Sequence, residues 1–256
     1  MAIEYNKVIK NLSFSQHSIL KDIMTLHNNN EPFDADLTYN KGNFYGVFKR
    51  VNGEGVEEEF ELKRPKYTFD VVPQDEETIK LDPNGNIPLE DESLQSIVID
   101  LPFLVLSNSA PSVVNEKDGS NKVKKRFSSY NNINELLLSY KHWIEDSFRV
   151  LKKNGILIFK TKNNITSAKY LATEEWSWLC AEACGFETLD KFTFGAKVRM
   201  ISGQIKKQQH ARNYTSTFLV FKKSSSKKIK YLDCLNEDGK NLFFETMLNS
   251  MTKQKK

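Results

Sequence analysis

Cysteine is scarce in this chain, and its scarcity excludes two common kinds of architecture. The 256 residues contain three cysteines, Cys180, Cys184 and Cys234, so there is neither a disulfide framework nor a paired CxxC motif for structural zinc. Cys180 and Cys184 stand four residues apart in a helical pattern, which favours a place in a buried helix over metal binding. We therefore expect no metal site.

Long apolar runs and a strong charge bias are also missing. The first residues, MAIEYNKVIKNLSFSQ, lack an apolar signal core, and no apolar run approaches the length that crosses a bilayer. The 37 basic and 33 acidic residues give a net charge of +4, which permits a polyanionic partner without requiring one. These features predict a soluble cytoplasmic protein with no membrane partner.

Apolar periodicity predicts three helices in the main body of the chain. The first covers about Ser15 to Leu26, and the third is EEWSWLCAEACGF, which ends at a glycine. The second lies in INELLLSYKHWIEDSFRVLKKNG and is expected to close at Gly155. Its apolar face is formed by Leu136, Leu137, Tyr140, Ile144, Phe148 and Leu151.

Short apolar segments that read as strands alternate with these helices. They are FDAD, KYTFDVV, TIKLD, SIVIDLPF, ILIFKTK, ETLDKFTF and TSTFLVFKK. The charged stretch FKRVNGEGVEEEFELKRP predicts a hairpin or an exposed loop rather than core. Because strands alternate with helices, the expected fold is α/β, a mostly parallel sheet with helices on both faces.

Aspartates stand at or near the ends of successive predicted strands. They are Asp36, Asp70, Asp82 and Asp100. Ligands of such sheets bind outside the carboxyl ends of the strands, so we expect these carboxylates along one edge of a cleft. Taken singly, each also fits the role of a turn or cap residue.

The run IVIDLPF ends a predicted buried strand with a carboxylate, a proline and an aromatic ring. Burying an unpaired carboxylate is costly, so Asp100 is expected where the strand emerges into the cleft. The polar stretch that follows, over about 104–130, has no periodicity, and loops of that length are usually functional or disordered.

These motifs resemble the exocyclic-amino DNA methyltransferases of phages and bacteria. The tetrapeptide Asp100-Leu101-Pro102-Phe103 resembles that family's Asp-Pro-Pro-aromatic motif, with leucine at the second position. EDSFRVLKKNGILIFKTK is similar to its LKPGG segment and fifth strand. The likeness covers Ser15 to Lys223. It implies a Rossmann-like class I methyltransferase domain with a mostly parallel seven-stranded sheet, and S-adenosylmethionine as cofactor.

The resemblance also implies roles for individual residues. Asp100 and the Leu101 carbonyl would hold the amine of adenine or cytosine, while Pro102 and Phe103 would frame and stack on a flipped base. Asp70 would bind the cofactor ribose, and Asp82 its adenine amino group. The first strand and its loop would complete the cofactor site through Asp36, Thr38, Tyr39, Asn40, Lys41, Gly42, Asn43 and Phe44.

Two basic segments with interleaved aromatic residues are candidates for nucleic-acid binding. The first contributes Lys122, Lys124, Lys125, Arg126, Phe127 and Tyr130, and the second contributes Lys206, Lys207, His210 and Arg212. Solvated lysine-rich loops remain the alternative interpretation. DNA is the expected partner, with adenine N6 favoured over cytosine N4 as the target, although RNA and protein amides suit the same chemistry.

The expected organisation is a methyltransferase domain over 1–223, followed by a linker, a short helix and a basic tail over 224–256. No separate recognition domain is evident, so a protein partner or self-association through the helix from Leu242 to Met251 would supply specificity beyond a short sequence. The alternative of another class is a catalytically silent binding module, suggested by Leu101 and by a cofactor loop with a single glycine, Gly42.

Overall fold

The structure, a computed structural model, describes residues 8–51, 55–103, 105, 130–166, 169–197 and 210–224. The predicted C-terminal tail beyond residue 224 lies outside these ranges. The described helices are α1 (Gln16–His27), α2 (Ile133–Val150) and α3 (Thr173–Cys184). None of them is long and apolar enough to span a membrane.

One large sheet organises the described part of the chain. Its strands are β1 (Leu12–Ser13), β2 (Ala35–Asp36), β5 (Tyr67–Asp70), β6 (Ile79–Lys80), β7 (Leu94–Ile99), β8 (Leu151–Thr161), β11 (Phe186–Gly195) and β12 (Thr215–Lys223). Two hairpins stand apart from it, β3 (Gly46–Val51) with β4 (Glu57–Leu62) and β9 (Asn164–Thr166) with β10 (Lys169–Leu171).

The order of strands in the large sheet is β1-β11-β12-β8-β7-β2-β5-β6. Strand β12 is antiparallel to both of its neighbours, and every other pair is parallel. The predicted Rossmann-like α/β fold, with a mostly parallel sheet, is therefore confirmed. The two-residue β1 adds an eighth strand at one edge to the seven expected.

Helices cover both faces of the sheet, as expected. Ser15 caps the N-terminus of helix α1, because its hydroxyl accepts a hydrogen bond from Ser18 N, a backbone group with no partner inside the helix. Its buried side chains pack on one face of the sheet, together with Val98, Ile158 and Phe192. Helices α2 and α3 pack on the other face, and α3 ends at Gly185 in the left-handed conformation.

The charged stretch before β5 forms the predicted hairpin, β3 with β4, but the expectation that it lies outside the core is wrong. Phe60 and Leu62 are 9% and 1% exposed and belong to the same cluster as α1. Side chains alternate across a strand, so Glu57, Glu59 and Glu61 point outward while these two residues point toward the sheet. The hairpin thus helps α1 to cover this face.

The predicted end of α2 at Gly155 is also wrong. The helix ends at Val150, and Leu151 begins β8 without a connecting loop. Pairing of β8 with β7 shifts register after Leu94, and Asn154 has a φ of 64° at this irregularity. Gly155 is needed inside the strand, because a Cβ there would lie 2.9 Å from Lys152 O. The glycine marks a bulge in the strand, and the helix has already ended before it.

Candidate active site

Neighbouring parallel strands bring all four predicted aspartates to one edge. Asp36 ends β2, Asp70 ends β5, and Asp100 follows β7, which pairs with β2. Asp82 lies two residues beyond β6, where its carboxylate accepts a hydrogen bond from Asn84 N in a tight turn. The geometry gives Asp82 the turn role that its local sequence also allows.

Asp36 is buried and organises the loop that follows it. The side chain is enclosed, with 1% of the residue exposed, and Oδ2 accepts the Tyr45 hydroxyl at 2.7 Å. Its Oδ1 accepts Thr38 N at 2.7 Å and the Thr38 hydroxyl at 3.1 Å. Thr38 Oγ1 in turn accepts Asp100 N at 2.7 Å. Thr38 therefore joins the ends of β2 and β7.

Burial dominates the ionisation of Asp36. Removal from water raises the pKa of this carboxyl from 3.8 to about 7, against the lowering effect of its hydrogen bonds from Tyr45 and Thr38, and the nearby charge of Asp100 raises it further. Asp36 thus changes charge near neutral pH.

The loop after β2 folds back over the end of β5. Tyr39 N donates to Phe69 O, and Asn40 N donates to Asp70 Oδ2 at 2.8 Å. Asn40 and Gly42 have φ values of 51° and 67°. The Tyr39 ring is buried, with the Arg64 guanidinium 4.5 Å from its centroid. Among the other predicted cofactor residues, Lys41 and Asn43 are exposed on this loop.

Asp70 is held between two backbone segments. Its oxygens accept Asn40 N and Val72 N, each at 2.8 Å, and 9% of the residue is exposed. Burial raises the pKa of this carboxyl, while the two backbone hydrogen bonds lower it. Each oxygen keeps a lone pair for a further donor.

Lys160 is a site residue that the sequence interpretation missed. It lies in β8, is 6% exposed, and places Nζ 2.6 Å from Asp100 Oδ2. Three aromatic rings surround the ammonium group, with centroids at 5.3 to 5.8 Å, namely Phe44, Phe103 and Phe218. A lysine inside the apolar run ILIFKTK was the available signal, since a buried lysine needs an acidic partner.

Helix α2 packs against the tetrapeptide Asp100-Leu101-Pro102-Phe103. Leu101 is 8% exposed and joins the core, and the Tyr140 hydroxyl lies 3.4 Å from Pro102 O. Phe103 and Asp100 are partly exposed. Within the described ranges, Asp100 Oδ1 has no hydrogen-bond partner. The site therefore offers one free carboxylate oxygen beside aromatic rings.

The predicted nucleic-acid residues divide into three groups. Several lie outside the described residues, namely Lys122, Lys124, Lys125, Arg126, Phe127, Lys206 and Lys207. The Tyr130 ring packs edge-on against Tyr140, and its hydroxyl donates to Ser139, so its observed contacts are internal. His210 and Arg212 lie beside the end of β8, because Asn213 Nδ2 donates to Asn163 O.

Comparison with known proteins gives a fold likeness without close relatives. No known family model and no characterised protein sequence matches this chain. Similar solved structures include TTHA0409 of Thermus thermophilus, assigned as a DNA modification methylase and complexed with S-adenosyl-L-methionine, at 12% identity and a TM-score of 0.35. That match covers 59% of this chain and 54% of TTHA0409, so this chain spans about half of that neighbour's length.

Two other solved structures match over more of their length. A type 11 methyltransferase of Sulfolobus solfataricus is 14% identical, over 86% of this chain and 98% of that chain, with a TM-score of 0.37. The cyclase SpnF is 12% identical, over 81% and 82% of the two chains, with a TM-score of 0.42. At these values the similarities carry no argument about activity.

Replacing Gly42 by alanine tests the folded-back loop. A Cβ at Gly42 would lie 2.6 Å from Tyr39 Cζ, in addition to the strain of a φ of 67°. Gly55 is the matched control, with a φ of 79° and no described atom within 4 Å of an added Cβ. We expect Gly55→Ala to lose about 1 kcal/mol of unfolding free energy in urea, and Gly42→Ala about 2 kcal/mol or more. Equal losses would contradict the Tyr39 contact.

Replacing Asp36 by asparagine tests its raised pKa. Between pH 3.8 and about 7 the folded state holds a proton that unfolding releases, so stability falls as pH rises through this window. Asparagine keeps an acceptor for Thr38 and removes the titration. The unfolding free energy of the native protein should fall by up to about 4 kcal/mol relative to Asp36→Asn between about pH 4 and 8. If the unfolding free energies of the two proteins, measured by urea titration, changed in parallel with pH, the raised pKa of Asp36 would be refuted.

Proposed function

We propose that this protein is an S-adenosylmethionine-dependent methyltransferase that modifies an exocyclic amino nitrogen of a DNA base, with adenine N6 as the target. The observation that supports the proposal is the setting of Asp100. One carboxylate oxygen is bound by Lys160, and the other has no hydrogen-bond partner among the described residues. It stands beside the partly exposed Phe103 at the ligand-binding edge of the sheet.

The chemistry explains why a carboxylate is needed there. The lone pair of an exocyclic amine is delocalised into the base, which makes the nitrogen a poor nucleophile. Asp100 Oδ1 and the Leu101 carbonyl would accept the two N–H groups and favour a tetrahedral nitrogen with its lone pair directed at the incoming methyl group. Phe103 would stack on the flipped base. Asp100 Oδ1 is then the base nearest to the proton that the nitrogen releases.

Lys160 has a positioning role in this scheme. Its ammonium group holds Asp100 Oδ2 and thereby leaves Oδ1 as the oxygen available to the amine. The surrounding rings of Phe44, Phe103 and Phe218 keep the ammonium group in place. Leucine at position 101 is compatible with activity, because the proposed scheme uses only the backbone carbonyl of this residue.

The polar groups at the ends of β2 and β5 fit the cofactor. Bound S-adenosylmethionine supplies an electrophilic methyl group on a sulfonium. Asp70 has free lone pairs that would accept hydrogen bonds from the ribose hydroxyls. Asn40 N holds the loop over Asp70, and Lys41 and Asn43 on the same loop would donate to the cofactor carboxylate. Asp82 Oδ1 accepts Asn84 N, and the carboxylate keeps lone pairs for the adenine amino group, as Asp70 does for the ribose.

The silent binding module is the second candidate. The observation in its favour is the same ion pair, because Lys160 neutralises the carboxylate on which the proposed chemistry depends. A loop that continues into a hairpin instead of a helix also leaves no helix N-terminus for the cofactor. A protein amide or RNA would remain as substrate if cofactor binding were found without DNA methylation.

The decisive experiment combines cofactor binding with analysis of the product. We expect S-adenosylmethionine to raise the melting temperature of the native protein and of Asp100→Ala. Unmethylated DNA, offered single- and double-stranded with the native protein, should yield N6-methyladenine by nucleoside mass spectrometry, whereas Asp100→Ala should yield none. Cofactor binding with no methylated base from either DNA would direct the search to RNA and protein. No melting shift at saturating cofactor would favour the silent module.

Replacing Lys160 by methionine separates its positioning role from general stability. The matched control is Lys223→Met, since Lys223 also contacts an acid, Glu92 at 3.2 Å, and an aromatic ring, Phe148 at 4.9 Å. That pair lies at the opposite edge of the sheet. We expect Lys160→Met to lower kcat at least tenfold with a smaller change in the KM for cofactor, and Lys223→Met to leave both constants unchanged. Equal kcat values for the two variants would contradict the role of Lys160.

A further inference from the structure

The most exposed aromatic side chains of the described residues are gathered at one edge of the molecule. Phe14, Tyr170 and Tyr214 are 62%, 57% and 38% exposed, and every other described aromatic residue is at least partly buried. Phe14 follows β1, Tyr170 lies in the hairpin after β8, and Tyr214 precedes β12. Strand pairing puts all three of these positions at the edge that carries Asp100.

Tyr170 is anchored at its tip while its ring remains in solvent. The hydroxyl accepts Asn163 Nδ2 at 2.8 Å, and Asn163 itself is 8% exposed. The same asparagine accepts Glu174 N at 2.8 Å through Oδ1. Fixing a side chain costs conformational entropy, and this ring gains little burial in return. A ring held in this way is suited to a planar ligand.

Asn163 also fixes the segment that carries Tyr214. Its carbonyl accepts Asn213 Nδ2 at 3.0 Å, and Lys162 Nζ donates to Asn213 O at 3.2 Å. Tyr170 and Tyr214 therefore stand on two segments tied to the same short stretch at the end of β8. The Phe14 ring adjoins Gly195, where an added Cβ would lie within 3.0 Å of Phe14 Cδ1.

The charges of this edge favour a polyanion. Lys169, Lys197 and Arg212 lie on the segments that follow β8 and β11 or precede β12, and none of them pairs with a carboxylate within the described ranges. The acids nearby are engaged internally. Glu174 accepts the Thr217 hydroxyl and pairs with Lys191, and Glu175 accepts a hydrogen bond from Asn163.

We propose that these three residues, the aromatic rim of Phe14, Tyr170 and Tyr214, stack on unpaired bases of a single nucleic-acid strand that flanks the target base. Lys169, Lys197 and Arg212 bind its phosphates. Base faces are accessible to aromatic rings only where the strand is unpaired, whereas a duplex presents phosphates and groove edges. The inference rests on the proposed function and adds that the substrate is unpaired around its target.

Oligonucleotide binding without cofactor tests the rim. The probe is a fluorescein-labelled DNA strand of about 16 nucleotides, alone or annealed to its complement, and the readout is fluorescence anisotropy. We expect the native protein to prefer the single strand. Loss of one stacked base by Tyr170→Ala should weaken binding of the single strand about tenfold, and Tyr170→Phe, which keeps the ring, should bind within about threefold of the native protein.

Leu138→Ala is the control, because Leu138 is 53% exposed on α2 and lies outside the rim. It should bind as the native protein does, and the melting temperatures of all variants should agree. The proposed stacking by the rim would be overturned if Tyr170→Ala bound the single strand with native affinity, or if the native protein preferred the duplex. The assay needs neither cofactor nor turnover, so the two proposals can fail separately. If Tyr170→Ala weakens binding of the single strand but the native protein methylates no DNA, only the proposed reaction is refuted. If the native protein methylates DNA but Tyr170→Ala binds the single strand with native affinity, only the role of the rim is refuted.

Discussion

The hydroxyl of Thr38 connects the two strand ends on which the candidate site is built. It donates to the buried carboxylate of Asp36 and accepts the backbone N–H of Asp100, so one small side chain sets the spacing between the loop after β2 and the tetrapeptide. Asp36 is enclosed, and its three hydrogen bonds offset only part of the cost of its burial. The loop that carries Asn40 over Asp70 starts from this anchor.

A buried lysine gives the site its charge balance. Lys160 has a carboxylate as its ionic partner and aromatic rings as the rest of its surroundings, and either charge left alone in this setting would be strongly unfavourable. The pair accounts for a charged residue inside an otherwise apolar strand. It also means that Asp100 can be part of a stable resting structure while one of its oxygens stays available.

Local patterns were sufficient for much of the fold. The helix from Gln16, the helix that ends before Gly185 and the strand that delivers Asp100 each carry a periodicity or a cap that neighbouring residues supply. The same reasoning failed at Gly155, because a glycine after a helix and a glycine in a bulge look alike until the partner strand is known. It failed at Phe60 and Leu62 because surrounding glutamates concealed the inward face of β4.

The sequence by itself determined that Asp36, Asp70, Asp82 and Asp100 share an edge, since parallel strands that alternate with helices place their carboxyl ends together. Only the tertiary structure decided which side chains meet there. Ile99 pairs with Phe159 across β7 and β8, and this register sets Asp100 beside Lys160 although 60 residues separate them. Register between distant strands depends on packing of the whole sheet, and no local pattern encodes it.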